Sequence, residues 1–243
     1  MKRFAAVWID FHTRFINYYE TKIVFLVETG YIRPREESGK FMKEFDPMKA
    51  WLGFQEGNAA QYTWYVPHDV AGLLALVGKE EFNRRLEKTF ETASENLYGG
   101  KIGEFDSFSG VEQLYNHGNQ PCLHNAWLFN YSGNPWLTQK YTRDICNVFY
   151  GTEPTHGYGQ DEDQGQLGAW YVLAAMGLFD VQGGTNKVPT MQIGSPLFDK
   201  VTIHLNRKYY REILSLSKPM LILRKHIMYK MRRLTENHYR NVL

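Results

Sequence analysis

The sequence predicts a mainly α-helical protein that closes in a short β segment, and three observations carry that expectation. Apolar residues recur at helical spacing in separate runs: Phe82, Leu86 and Phe90, then Tyr141, Ile145 and Val148 or Phe149, then Leu167, Trp170, Tyr171, Leu173, Ala174 and Leu178. Turns rich in Gly, Asn and Pro stand between these runs. Strand-type alternation is first met at Thr202-Ile203-His204-Leu205.

Composition bounds the class. With 243 residues, 43% hydrophobic and 15% aromatic, the chain can bury a core as one large domain or two small ones. Its sixteen Tyr, fifteen Phe and six Trp suit such a core, and equally a cleft in which rings stack on sugar C–H surfaces. Cys122 and Cys146 are too few for a disulfide framework and lack zinc-ligand spacing. Asp10, His12, Arg14 and Asn17 interrupt the stretch after the basic start, so it reads as neither a signal-peptide core nor a membrane span. The net charge of +2 is misleading: ten Lys or Arg against two Glu fall from Arg207 onward, leaving 18 basic and 24 acidic residues, a net of −6, before it. A nucleic-acid partner would rest on that tail and its tyrosines alone, and none is expected.

Residues 1–25 carry no usable pattern. Glu28-Thr29-Gly30-Tyr31-Ile32-Arg33-Pro34-Arg35 reads as a turn and an extended segment, with Arg33 and Arg35 either surface groups or donors to a carboxylate or hydroxyl. Glu56 lies between Gly53 and Gly57, ahead of the aromatic run Tyr62-Thr63-Trp64-Tyr65. A glutamate held dry against rings has a raised carboxyl pKa, as a general acid requires; on spacing alone it is equally a solvated loop residue. His68-Asp69 opens a helix through Leu76, and a surface helix runs from Lys79 to about Leu97 with Phe82, Leu86 and Phe90 on its inner face. Tyr115-Asn116-His117-Gly118-Asn119-Gln120-Pro121 and Asn130-Tyr131-Ser132-Gly133-Asn134-Pro135-Trp136 are polar turns around a short buried helix at Ala126-Trp127-Leu128-Phe129. Thr138 is placed to cap the next helix.

Gly159-Gln160-Asp161-Glu162-Asp163-Gln164-Gly165-Gln166 then sets three acids ahead of an apolar run that reads as a helix buried on all sides. A helix N-terminus favours anions, so Asp161 and Asp163 are expected to stay ionised there, and an ionised carboxylate in a cleft can act as a base. A single Asp in this position is equally a helix cap. Residues i and i+2 of an extended turn can face one way, which would bring Asp161 and Asp163 together and turn Glu162 elsewhere.

Four strings in this order resemble glycoside hydrolase family 92, the calcium-dependent exo-acting α-mannosidases. They are Gly53 to Asp69, Gly118-Asn119-Gln120-Pro121, Gly159 to Trp170, and Ile193-Gly194-Ser195-Pro196-Leu197-Phe198-Asp199-Lys200, and the likeness covers roughly residues 28–206. The resemblance implies an N-terminal β-sandwich and first barrel half missing from this chain. What remains would be the later helices of an (α/α)6 toroid at 26–185 and the start of a β segment at 186–206. It implies a catalytic acid at Glu56, a base at Asp163 assisted by Asp161, and inversion with the two carboxyls roughly 6.5–9.5 Å apart. It implies substrate binding by Trp64, His68, Asp69, His117 and Gln120, Ca²⁺ held in part by Asn119 and Gln120, mannose-containing glycans as partners, and a periplasmic, cell-surface or secreted location. Many members carry Glu where Gln120 stands, so linkage specificity is not assigned. Two alternatives are another toroid glycosidase and an inactive carbohydrate-binding remnant. After Asn206-Arg207-Lys208-Tyr209-Tyr210 the family pattern stops, and codons read one base later over residues 225–240 can spell a strand-like stretch around Asn-Gly, so the tail at 207–243 is expected to be a frameshift product without an evolved role.

Overall fold

Burial of one helix face against another organises the chain. The computed structural model describes residues 23–26, 29–36, 38–100, 106–154, 156–160, 162, 165–187, 190–206, 208 and 214–217. A first antiparallel pair, β1 (Ile23–Leu26) and β2 (Tyr31–Pro34), runs from Ile23 opposite Pro34 to Leu26 opposite Tyr31. The amide of Ile32 donates to Thr63 Oγ1, which fastens β2 to the end of the short helix α1 (Ala59–Tyr62). Arg33 serves its own neighbourhood, donating to the carbonyls of Met42 and Lys43 with its guanidinium over the Phe45 ring.

Asp69 caps α2 (Val70–Val77) by accepting from the Gly72 amide at 2.8 Å. Gly78, at φ 85°, then lets the chain turn directly into α3 (Lys79–Glu95). Phe82, Leu86, Phe90 and Ala93 form the buried stripe of α3, while Glu80 and Glu81 in its first turn complement the helix dipole. Two turns of 3-10 helix at Gln120–Cys122 and Asn125–Trp127 lead into α4 (Leu128–Ser132). The following helix, α5 (Pro135–Val148), begins at a proline whose fixed φ suits the first helical position, so Thr138 lies inside the helix, buried, and is not its cap.

These helices meet at Phe90. Its ring stacks on Tyr141 of α5 at 4.8 Å, and lies against Tyr115 and Phe129, so the centre of the core is aromatic. Trp127 stacks on Phe179 at 5.3 Å and leaves no room at Gly194, where a Cβ would come within 2.8 Å of the indole. Cys122 and Cys146 are buried free thiols, and burial pushes both up to about 12, so they stay protonated.

Strands appear earlier than expected. Besides β1–β2, the described residues contain β3 (Tyr150–Glu153) with β4 (His156–Tyr158), β5 (Leu178–Phe179) with β6 (Gln192–Ile193), and β7 (Lys200–Ile203) with β8 (Leu214–Ser217), all antiparallel. Segments of two to four residues are too short for alternation to register in the sequence. Strand β8 extends the β segment into the stretch read as an aberrant tail; residues 218–243 lie outside the described residues, as do 1–22.

Between β4 and β5 stands α6 (Gln166–Ala175), which buries Leu167, Trp170, Ala174 and Ala175. It is not buried on all sides: Gln166, Ala169 and Val172 share an open face, with Val172 56% exposed. Truncation of Phe90 to Ala should cost about 3–5 kcal/mol through the cavity left among the surrounding rings. Val172→Ala should stay within about 0.5 kcal/mol, a contrast that denaturant unfolding of the two variants will measure.

Candidate active site

The turn Asn116-His117-Gly118-Asn119 is buried almost completely, and a buried turn must find partners for its polar groups. Hydrogen bonding ties it to one side and close packing to another. Asn119 Nδ2 donates to the carbonyl of Glu56 at 2.6 Å, fixing the loop that carries the expected acid. On the other side Gly118 abuts Gln160, first side chain of the acidic motif, so closely that a Cβ on residue 118 would overlap the Gln160 amide. That amide is held in turn by the carbonyls of Gly99 and Ser109. One turn therefore sets the Glu56 loop and the entrance of the acidic motif relative to each other.

Glu56 is half-buried and adopts φ 53°, a left-handed conformation that costs a non-glycine residue about 1 kcal/mol or more and clusters at functional positions. Asn58 and Gln61 hold the adjoining helix turn: the Asn58 amide donates to the carbonyls of Val111 and Gln113, and Gln61 donates to those of Gly110 and Gln113. Tyr62 donates to the Gln55 carbonyl at 2.7 Å, and its phenol is held above the usual range, first by burial, then by the charge of Glu56. A loop so anchored presents its glutamate on a rigid base.

At the start of α6 the acid that meets the free amides is Glu162. Its carboxylate accepts from Leu167 N at 3.0 Å and from Gly168 N at 2.9 Å. Glu162 thus takes a capping role at this helix start. Asp161 and Asp163 themselves lie outside the described residues, as does Gln164.

His68 and Gln120 come together on a cavity of about 420 Å³, a size typical of small-ligand pockets. Its wall takes Tyr65 and Pro67 from the first motif, His124 beside the second, and Gln166 from the third, closed by the loop that begins at Asp180. The fourth motif does not line it. Arg143 Nε donates to Ser195 Oγ at 2.9 Å and Asn130 Nδ2 to the Ile193 carbonyl at 3.1 Å, so that motif docks on α4 and α5. Sequence reasoning missed Gln166 and Asp180; the only signal for Asp180 was its Asp-x-x-Gly-Gly setting, where it accepts from the amides of Gln182 and Gly184.

Other expected site residues take structural positions. Trp64 is 2% exposed, edge-on to Phe82 with the Arg85 guanidinium over its face, and offers no surface to a sugar. Asp69 is the cap of α2, though exposed. His117 is 0% exposed, its ring between Phe149 and Trp170.

The imidazole of His117 sits in a buried hydrogen-bond chain. Tyr150 Oη donates its single proton to the Leu167 carbonyl at 3.0 Å, so it accepts from His117 Nε2–H at 2.8 Å, and Nδ1 is left to accept from Tyr115 Oη at 2.7 Å. Burial lowers His117 to about 3. His124 is lowered to about 4, burial outweighing the hydrogen bond it gives the Trp64 carbonyl. Both rings are neutral near pH 7.

Comparison with known proteins follows the same lines. The profile of the glycosyl hydrolase family 92 catalytic domain matches residues 8–228, a span that begins in the patternless N-terminal stretch and ends inside the basic tail. The chain is similar to the family GH92 alpha-mannosidase BT3965 from Bacteroides thetaiotaomicron, at 34% identity and TM-score 0.63, covering 79% of this chain and 23% of that one. It is similar to the same degree to the family GH92 inverting mannosidase BT2199 from that organism, covering 79% of this chain and 26% of that one. A curated relative described as an uncharacterized secreted glycosidase, from Arthroderma benhamiae, is 28% identical over 58% of this chain and 15% of its own length. The chain spans about a quarter or less of the proteins it matches.

Both histidines gain protons on unfolding below pH 6.5, their ordinary value. The stability they contribute is therefore fully present above about pH 6.5 and is lost as pH falls from there toward 4 and 3, by up to roughly 1.4 kcal/mol per pH unit for each ring. Denaturation midpoints should hold from pH 7.5 to about 6.5 and fall from there to 4.5; a profile flat over the lower range would contradict the neutral, buried assignment.

Proposed function

The chain belongs to glycosyl hydrolase family 92, and on that premise we propose that the protein carrying it hydrolyses terminal α-mannosidic linkages of glycans with inversion. Its fold is the mainly helical, later part of an α/α toroid followed by a short β segment. The observation that carries the proposal is the convergence on one turn: the Glu56 loop is tied to Asn119, the acidic motif is packed on Gly118, and Gln120 opens onto a cavity shared with His68. Acid/base glycoside hydrolysis demands two carboxylates on opposite faces of one sugar, and in this reading the Glu56 loop and the acidic motif supply them.

Glu56 is the general acid in this reading, giving its proton to the departing glycosidic oxygen. Asp163 is the base that takes a proton from water on the opposite face of the sugar, and Asp161 orients that water or its partner. Glu162, committed to the helix amides, stays out of the chemistry. His68 and Gln120 contact the glycan from the cavity wall. Trp64 and His117 act behind that wall, as packing and as a fixed hydrogen-bond link.

Calcium, implied by the family, finds a donor of suitable chemistry here. With its Nδ2 given to Glu56, Asn119 carries an amide oxygen of the kind a hard cation takes, and the Gln120 side chain is of the same chemistry. Among the described residues no three His, Cys, Asp or Glu side chains gather for a metal, so the remaining oxygens of a six- to eight-fold shell would include substrate hydroxyls and water. When bound, the ion would hold mannose hydroxyls and favour a flattened ring. No helix among the described residues is long and apolar enough to cross a membrane, and a periplasmic, cell-surface or secreted site of action fits a glycan substrate.

Replacement of Glu56 by Gln, or of Asp163 by Asn, should lower kcat about 10²–10⁴-fold on a mannobiose or an aryl α-mannoside. The Glu56 variant should lose more on poor leaving groups, and wild-type enzyme should release β-mannose first, as read by proton NMR. Binding of mannosides with no turnover in wild type would favour the carbohydrate-binding remnant, and turnover of other aryl glycosides a different toroid glycosidase.

Removal of metal tests the calcium assignment separately. Activity should vanish with a chelator and return with Ca²⁺ more fully than with Mg²⁺, whose octahedral shell suits this oxygen set less well. Turnover indifferent to chelation would remove the ion from the mechanism while leaving the two carboxylates in place.

A further inference from the structure

Tyr150 stands between the acidic motif and the turn that holds the Glu56 loop, and nothing in the sequence singles it out. It follows α5 directly and opens β3. Its backbone pairs with Tyr158, and its ring meets the Tyr158 ring edge-on at 6.1 Å, at the residue where the chain enters the acidic motif. Its hydroxyl donates to the Leu167 carbonyl at 3.0 Å, where the chain leaves that motif and begins α6. The same oxygen accepts from His117, whose neighbour Gly118 abuts Gln160 and whose next neighbour, Asn119, holds the Glu56 loop. One phenol thus touches both ends of the acidic motif and, through His117, the turn that fixes the proposed acid.

The surroundings favour a fixed clamp over a loose contact. The ring lies parallel to the Trp170 indole, 5.9 Å away at 5°, and against Tyr171 and Phe149. Burial, then the charge of Glu162, holds the phenol above its ordinary range, so the proton stays on the oxygen that donates to Leu167. Hydrogen bonds in such a dry place are directional and costly to leave unmade.

We infer that Tyr150 is a positioning residue for the acid/base pair: its hydroxyl, between His117 Nε2 and the Leu167 carbonyl, sets the spacing between the Glu56 loop and the acidic motif. The inference rests on the hydrolase reading above. Misplacement of reacting groups by about 1 Å can cost on the order of 100-fold in rate, which bounds what such a clamp controls. The role is indirect, because the partly buried phenol reaches the Glu56 loop only through His117 and the turn that follows it.

Tyr150→Phe removes the oxygen and leaves the stacked ring. In the intact enzyme, assayed well below its unfolding temperature on an aryl α-mannoside, this variant should lower kcat on the order of 10- to 100-fold with KM changed less than about threefold. The discriminating measurement is a double-mutant cycle with Asp163→Asn. If Tyr150 works by placing the base, Tyr150→Phe should cost little once the base is gone, whereas a merely structural role would cost the same in both backgrounds. Tyr115→Phe, which removes a hydroxyl from the far side of His117 without touching α6, serves as the stability control and should leave kcat within about threefold. If Tyr150→Phe does not fold, His117→Asn withdraws the donor to Tyr150 while keeping an acceptor for Tyr115, and the same cycle decides with that variant. Additive losses, or an unchanged kcat in a folded variant, would overturn the inference. A wild-type enzyme without any mannosidase turnover would instead overturn the hydrolase reading on which it stands.

Discussion

A buried polar turn needs partners, and the need of the turn at residues 116–119 to satisfy its amides organises the functional half of the molecule. Its groups reach the Glu56 carbonyl, the Gln160 side chain and, through His117, the hydroxyls of Tyr115 and Tyr150. Tyr150 lies 33 residues from His117 and Glu56 lies 63 from Asn119, so these contacts form only when the chain has closed around the turn from both sides. Site geometry and folding are consequently one problem here, because the contacts that close around the turn are the ones that hold the Glu56 loop and the entrance of the acidic motif.

Aromatic packing supplies the enclosure in which those hydrogen bonds gain their strength. Phe90, Tyr115, Phe129 and Tyr141 form one group of rings, and His117, Phe149, Tyr150 and Trp170 form the next, with Tyr115 touching both. Water is kept from the histidine, which remains neutral, and the tyrosines remain protonated. The high aromatic content, suited by composition to either a core or a sugar platform, is largely core: of the residues named for sugar contact, Trp64 and His117 are buried, and His68 and Gln120 face the cavity beside the acidic motif.

Long periodic segments are legible in the amino-acid pattern alone. Phe82, Leu86 and Phe90 mark α3, Asp69 marks the start of α2, and the helical run after the acidic motif marks α6. Three of the four motifs converge on one cavity, a relation that no spacing rule can reveal because it is made by side chains such as Asn119 and Gln160 reaching across the fold. Strand pairs of two to four residues are illegible for want of length, and so is the open face of α6, because Ala169 and Val172 are as apolar as its buried side. Glu162 is legible only as one acid of three; its destination, the amides of Leu167 and Gly168, depends on where the helix begins to within a residue.

The left-handed backbone at Glu56 has a consequence for how this protein could be improved. Trp51, Gly53 and Glu56 all carry positive φ within one stretch of loop, and only Gly53 among them is glycine. Glycine would relax the backbone at position 56, where it has no side-chain clash to avoid. Directed selection for heat resistance alone would be drawn to that position and would discard the side chain on which the proposed chemistry depends, so thermostability and turnover have to be selected together in this loop.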